Sequence, residues 1–205
     1  MATQNVLERQ FPGKRLQLKR DILQAALSCF NEQGLESTTI EQIRYRCEAS
    51  VGNIYHHFGN KEGLIAALFF CALDDQADLR QQYLDKAMTV ADGVSALVYS
   101  YLDWVTAEPE WARYQFQARS AVATGPKSEQ LVQRNRLRNR QLRERLLEAT
   151  GSSVLLRVPP DLLVALIIGQ SENYARAWLS GRVEGTPNYY REQLARAAWA
   201  SLEAC

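Results

Sequence analysis

Apolar residues recur at three- and four-residue intervals along almost the whole chain, which is the period of an amphipathic helix. Turn-forming residues break that pattern at Gly34, Gly52, Gly59-Asn60, Gly93, Pro109, Gly125-Pro126, Gly151, Pro159-Pro160, Gly181 and Gly185-Thr186-Pro187. Only Val154–Val158 is a candidate strand, and two prolines follow it directly. No internal repeat or low-complexity tract occurs. The expectation is an all-α chain of about nine helices.

Composition then narrows the function classes. With 205 residues there is room for one large domain or two small ones. A content of 46% hydrophobic and 23% charged residues excludes disorder and collagen-like structure. The apolar runs, such as the seven residues of Leu162–Ile168 and the ten of Leu64–Leu73, fall far short of the roughly 20 of a membrane span, and no secretory cleavage pattern is present. Cys29, Cys47, Cys71 and Cys205 are scattered, as in a reducing compartment. The 24 basic and 23 acidic residues nearly cancel, so nucleic-acid binding would need a local patch. The expectation is a soluble cytoplasmic protein without membrane, metal or cofactor.

Three short helices come first. Ile22, Leu23, Ala26, Leu27 and Phe30 share one face of a helix from about Leu16 to Gln33, which Gly34 ends. Thr39 followed by Gln42 forms a capping box for a second helix, with Ile40, Ile43 and Cys47 aligned. Ser50 is a good N-cap for a third, ending at Gly59. Such short connections force the second and third helices to cross steeply, as in a helix-turn-helix. On a wheel, Ile54 and Phe58 define the buried face of the third helix, while Gly52, Asn53, Tyr55 and His56 point outward. That face offers an amide, a phenol and an imidazole, groups suited to base edges and phosphates. An ordinary surface helix has the same residue types, so the residues alone leave both readings open.

The segment Ser50-Val51-Gly52-Asn53-Ile54-Tyr55-His56-His57-Phe58-Gly59-Asn60-Lys61-Glu62-Gly63-Leu64 closely resembles the recognition-helix signature of tetracycline-repressor (TetR) family regulators. Phe30, Gly34, Thr38-Thr39 and Ile43 also match that family's first two helices, so the resemblance covers about residues 18–66. It implies an N-terminal three-helix DNA-binding domain over 1–60, with a basic arm, and a C-terminal helical ligand-binding and dimerisation domain over 61–205. It implies a DNA-contacting set of Thr39, Ser50, Val51, Gly52, Asn53, Tyr55, His56, His57 and Lys61. Thr39 and Lys61 match backbone-contacting positions. His57 borders the buried face, so a structural histidine and a phosphate contact both fit. Three positions depart from the family pattern: Glu48 replaces a small or glycine residue in the turn, Ala49 replaces a larger aliphatic, and Val51 stands where a polar residue is common. Arg9, Lys14, Arg15, Lys19 and Arg20 precede this motif. They suit an arm that touches DNA, and equally a solvated, frayed terminus.

Over the C-terminal two-thirds the resemblance is architectural. Leu162, Leu163, Leu166, Ile167, Gly169, Gln170, Tyr174, Ala177 and Trp178 form a broad band on one helix, and Leu194, Ala197, Ala198, Trp199 and Leu202 another. Such helices pair either with a second copy or within the chain. Trp104, Trp111 and Phe116 belong to an aromatic cluster that is core or, in part, the wall of an effector chamber. Between Arg134 and Arg145 lie six arginines. Asn135 and Arg138 fall inside the stripe of Leu131, Leu142 and Leu146, where a polar residue and a cation need partners. The partner is an anionic or polar effector or an intrachain carboxylate, Asp103 or Glu108. The ligand-binding candidates are thus Trp104, Trp111, Phe116, Asn135, Arg138 and Tyr174.

The function expected is a ligand-responsive transcriptional regulator, a repressor that binds a palindromic double-stranded DNA operator as a homodimer and is released by a small-molecule effector. An enzyme is disfavoured: the two histidines are adjacent, and no G-x-S-x-G, H-E-x-x-H, phosphate-loop or dinucleotide motif occurs. A helical protein-binding adaptor is the competing class, and it would lack salt-dependent, sequence-specific DNA affinity.

Overall fold

The computed structural model describes residues 5–205, and among them ten α-helices account for most of the chain. They are α1 (Val6–Gln10), α2 (Gln17–Gln33), α3 (Ile40–Cys47), α4 (Val51–Phe58) and α5 (Lys61–Leu84), then α6 (Val90–Ala107), α7 (Pro109–Thr124), α8 (Ser128–Leu147), α9 (Pro160–Leu179) and α10 (Arg191–Glu203). No strand occurs among the described residues; Thr89 and Thr150 form a single isolated bridge. The apolar run at Val154 belongs to a 3-10 turn, Ser152–Leu156, and Val154, Leu155 and Val158 are buried. Burial without alternation is what a turn ahead of Pro159-Pro160 provides.

The helix beyond the expected nine is α1. Asn5 accepts from the Glu8 backbone N–H at 2.9 Å, and the Asn5 N–H donates back to the Glu8 carboxylate at 3.4 Å. This capping box satisfies two of the helix's open donors. Val6 and Leu7 are buried.

The chain packs as two compact units, one of residues up to Asp75 with Glu110–Val132, the other of Gln76–Pro109 with Gln133–Cys205. In the first, Ile22, Leu23, Leu27 and Phe30 of α2 are fully buried, as are Ile43 of α3 and Ile54 of α4. Phe30 stacks on Tyr114 at 5.8 Å between ring centroids. The Tyr114 hydroxyl donates to the Ile65 carbonyl at 2.7 Å, and burial pushes that hydroxyl well above its ordinary pKa. In the second unit, Val94, Leu97 and Leu102 of α6 share a core with Leu146 of α8, Leu163 and Ile167 of α9, and Ala195, Ala198 and Leu202 of α10. Thr89 caps α6, accepting from the Asp92 N–H at 3.1 Å while Asp92 accepts from Thr89 N–H at 2.9 Å.

Candidate nucleic-acid interface

Local chemistry fixes the helix-turn-helix at each of its ends. Thr39 accepts from the Gln42 N–H at 3.3 Å, and the Gln42 side chain accepts from the Thr39 N–H at 2.7 Å. Arg46 of α3 grips Glu32 of α2 through two bonds of 2.8 and 2.7 Å. The guanidinium holds the Glu32 carboxyl below its ordinary pKa. Glu48 ends α3 with φ 53° and ψ 21°, the sole left-handed residue other than glycine among those described. Ala49 is buried.

Ser50 then opens α4, its hydroxyl accepting from Asn53 N–H at 3.0 Å. The Val51 and Gly52 N–H groups stay at the open helix start, where the partial positive charge suits an anion. Ile54 is fully buried and Phe58 half-buried. Gly52, Asn53, Tyr55, His56 and His57 are exposed, Tyr55 to 47%. His57 lies with its ring 5.4 Å from His56 and 5.9 Å from Phe58. The exposure of His57 removes the reading of it as a buried structural histidine. Val51 is half-buried.

The junction after α4 requires glycine at two positions. Gly59 has φ 77°, a conformation that costs a glycine little. At Gly63 a Cβ would stand 2.0 Å from the Phe58 carbonyl oxygen. Asn60 caps α5 by accepting from the Gly63 N–H at 2.7 Å. Lys61, half-buried, donates from Nζ to the Glu36 carbonyl at 3.0 Å, which leaves two donors on the same ammonium.

The basic segment is folded rather than frayed. Arg9 makes a bidentate pair with Asp75, at 2.7 and 2.8 Å, and Asp75 is buried. Arg20 donates to the carbonyls of Phe11 and Gly13, and Lys19 Nζ sits 4.1 Å from the Phe11 ring centroid. Of the five cations, Lys19 and Arg20 are half-buried, while Arg9, Lys14 and Arg15 are exposed. Tyr45 of α3, 82% exposed, is a large aromatic that the sequence reading did not single out.

The effector candidates are dispersed. Trp104 is buried and Arg138 half-buried in the second unit, but Asn135 is exposed, so its place in the leucine stripe does not bury it. Tyr174 donates to the Gly185 carbonyl at 2.9 Å and packs on Tyr190 at 5.4 Å, a contact that closes a loop. Trp111, buried, and Phe116, half-buried, belong to the first unit. Asp103 is taken by another cation: one of its oxygens accepts from Arg191 at 2.7 Å and from the Tyr83 hydroxyl at 2.6 Å. It is therefore the counter-ion of Arg191, not of Arg138. The bond to Asp103, followed by burial, pushes the Tyr83 hydroxyl up.

Along α9, Leu163, Ile167, Ser171 and Ala175 are buried. A second face carries Leu162, Ala165, Gly169 and Asn173, all exposed, beside half-buried Leu166. A Cβ added at Gly169 would meet nothing within 4 Å. No helix of the described residues is long and apolar enough to cross a membrane.

Residues 22–68 match the family model described as bacterial regulatory proteins, tetR family. The chain is 42% identical over 50 residues to the HTH-type transcriptional repressor AcnR of Corynebacterium glutamicum, 24% of this chain and 27% of that protein. It therefore spans about a quarter of that relative's length. A longer match, 24% identical over 160 residues, joins 78% of the chain to 68% of the HTH-type transcriptional regulator HbdR of Aromatoleum sp. (strain CIB). In fold, it is similar to a TetR-like transcriptional regulator from Rhodococcus sp. RHA1, with a TM-score of 0.70 and 20% identity over 94% of this chain and all of that one. Over residues 22–68, the helix-turn-helix segment of this chain is thus similar to that of the tetR family of bacterial regulatory proteins.

Proposed function

We propose that this protein is a ligand-responsive transcriptional regulator, a repressor that binds a palindromic operator as a homodimer in the cytoplasm and is released by a small-molecule effector. One observation carries the reading: α4 is capped at its start, anchored through Ile54, and presents Asn53, Tyr55 and His56 together on an exposed face. Ser50, the Val51 and Gly52 N–H groups, Thr39, His57 and Lys61 fix register on phosphates, while Asn53, Tyr55 and His56 read base edges. Functionally the boundary falls after residue 60, with 1–60 on DNA and 61–205 serving effector and partner. Trp104, Asn135, Arg138 and Tyr174 are the effector candidates of the second unit, and Trp111 and Phe116 those of the first.

A regulator of this kind needs two recognition helices about one DNA turn apart, roughly 34 Å. The open face of α9, Leu162, Ala165, Leu166 and Gly169, suits self-association with α10 beside it, because small residues let two copies approach closely. Effector binding acts by favouring a state whose recognition helices are wrongly spaced. Salt titration of DNA binding tests the reading. Lys61→Ala should weaken all sequences about equally and lower the salt slope by about one. Tyr55→Ala or His56→Ala proteins that fold normally and bind at wild-type strength would contradict it.

A further inference from the structure

Within the second unit, hydrogen-bond donors gather where no acceptor meets them. Gln76 and Arg80 stand one turn apart on α5, so their side chains leave the helix on one face. The Gln76 amide nitrogen is completely buried and has no hydrogen-bond partner among the described residues. Arg80 is half-buried, and none of the described residues forms an ion pair or hydrogen bond with it. The charge acting on it is another cation, Arg138 of α8. Burial first, and then that cation, push the Arg80 guanidinium down to about 10.

Withdrawing such groups from water is unfavourable unless something accepts from them. Asp103, one of the two carboxylates the sequence offered, is committed to Arg191 and Tyr83. A guanidinium and an amide N–H side by side call for a partner that only accepts. An oxyanion does so, taking two parallel bonds from arginine and a third from the amide. The geometry points to an oxyanion site built by Gln76 and Arg80 that holds the carboxylate or phosphate head of the effector. This rests on the effector reading above and narrows it to anionic compounds.

The test uses the full-length protein with hexanoate, inorganic phosphate and uncharged hexanamide, each against chloride at equal ionic strength. One or both anions should raise the melting temperature by several degrees, and which of them does so identifies the head group; hexanamide should not. Arg80→Met should abolish the shift while melting in chloride at or above the wild-type temperature, because it removes an uncompensated cation. Gln76→Leu should reduce the shift. Arg80→Lys keeps the charge but loses the two-pronged geometry, and should weaken anion binding by about tenfold. Equal shifts in wild type and Arg80→Met, or no shift with either anion, would overturn the site. DNA affinity measured in the same samples separates the two claims. An anion shift lost in Arg80→Met with DNA affinity unmoved by the anion supports the site and overturns effector release; DNA binding without any anion response overturns the site alone.

Discussion

Helices α4 and α9 both leave a face uncovered, and the two faces differ in kind. The eight residues of α4 expose an amide, a phenol and two imidazoles, while the open face of α9 exposes leucine, alanine and glycine with one asparagine, Asn173. Polar side chains projecting from a short helix held at both ends suit a polar, charged partner. Small and apolar ones suit a surface of the same character, such as a second copy of the chain. The proposed function assigns one uncovered face to reading and the other to pairing.

The largest expected effect strikes the support of α4. Gly63→Ala sets a methyl group against the Phe58 carbonyl, at 2.0 Å before relaxation. It should destabilise the first unit by about 3 kcal/mol or more and abolish DNA binding. A thermal melt matching wild type would show that the junction yields easily. Gly169→Arg strikes the other face, where the added side chain meets open space within its own chain. It should leave the melt of the isolated chain intact, convert the protein to a species near 23 kDa by light scattering, and weaken operator binding about 10²-fold or more through lost avidity. A variant that stays dimeric moves the interface elsewhere.

Smaller effects refine the reading face. Asn53→Ala should cost about 1–3 kcal/mol at one base position per half-site and little elsewhere, as measured by binding to single-base variants of the operator. Uniform weakening would assign Asn53 to the phosphates. Glu48→Gly should stabilise the protein by about 0.5–1 kcal/mol, since the left-handed backbone at φ 53° suits glycine. A lower melting temperature would mean that the Glu48 side chain contributes more than the strain removes.

What was legible in the sequence was local. The caps at Thr39 and Ser50 and the buried face of Ile22, Leu23 and Phe30 follow from spacings of three and four residues, and each stands where the pattern put it. The helix at Val6–Gln10 carries the same kind of signal, Asn5 followed by Glu8, but its five residues are too few to show an apolar period. Long-range pairs had no such signal. Arg9 meets Asp75 across 66 residues, and Arg191 meets Asp103 across 88. Asn135 fell within an apolar stripe on the wheel yet is exposed, because a wheel assigns direction without knowing what covers that direction. The donors Gln76 and Arg80 were missed for the same reason: only the packing reveals that nothing accepts from them.

Selection of DNA from a random pool by the wild-type protein puts the role of α4 to the test. Enrichment of an inverted repeat with half-site centres about one helical turn apart, roughly 34 Å, bound with steep salt dependence, is expected. A doubly substituted Tyr55→Ala, His56→Ala protein with a normal melt should enrich nothing. No enrichment by the wild type, or the same repeat recovered by the doubly substituted protein, would contradict the assignment of α4 as the reading helix.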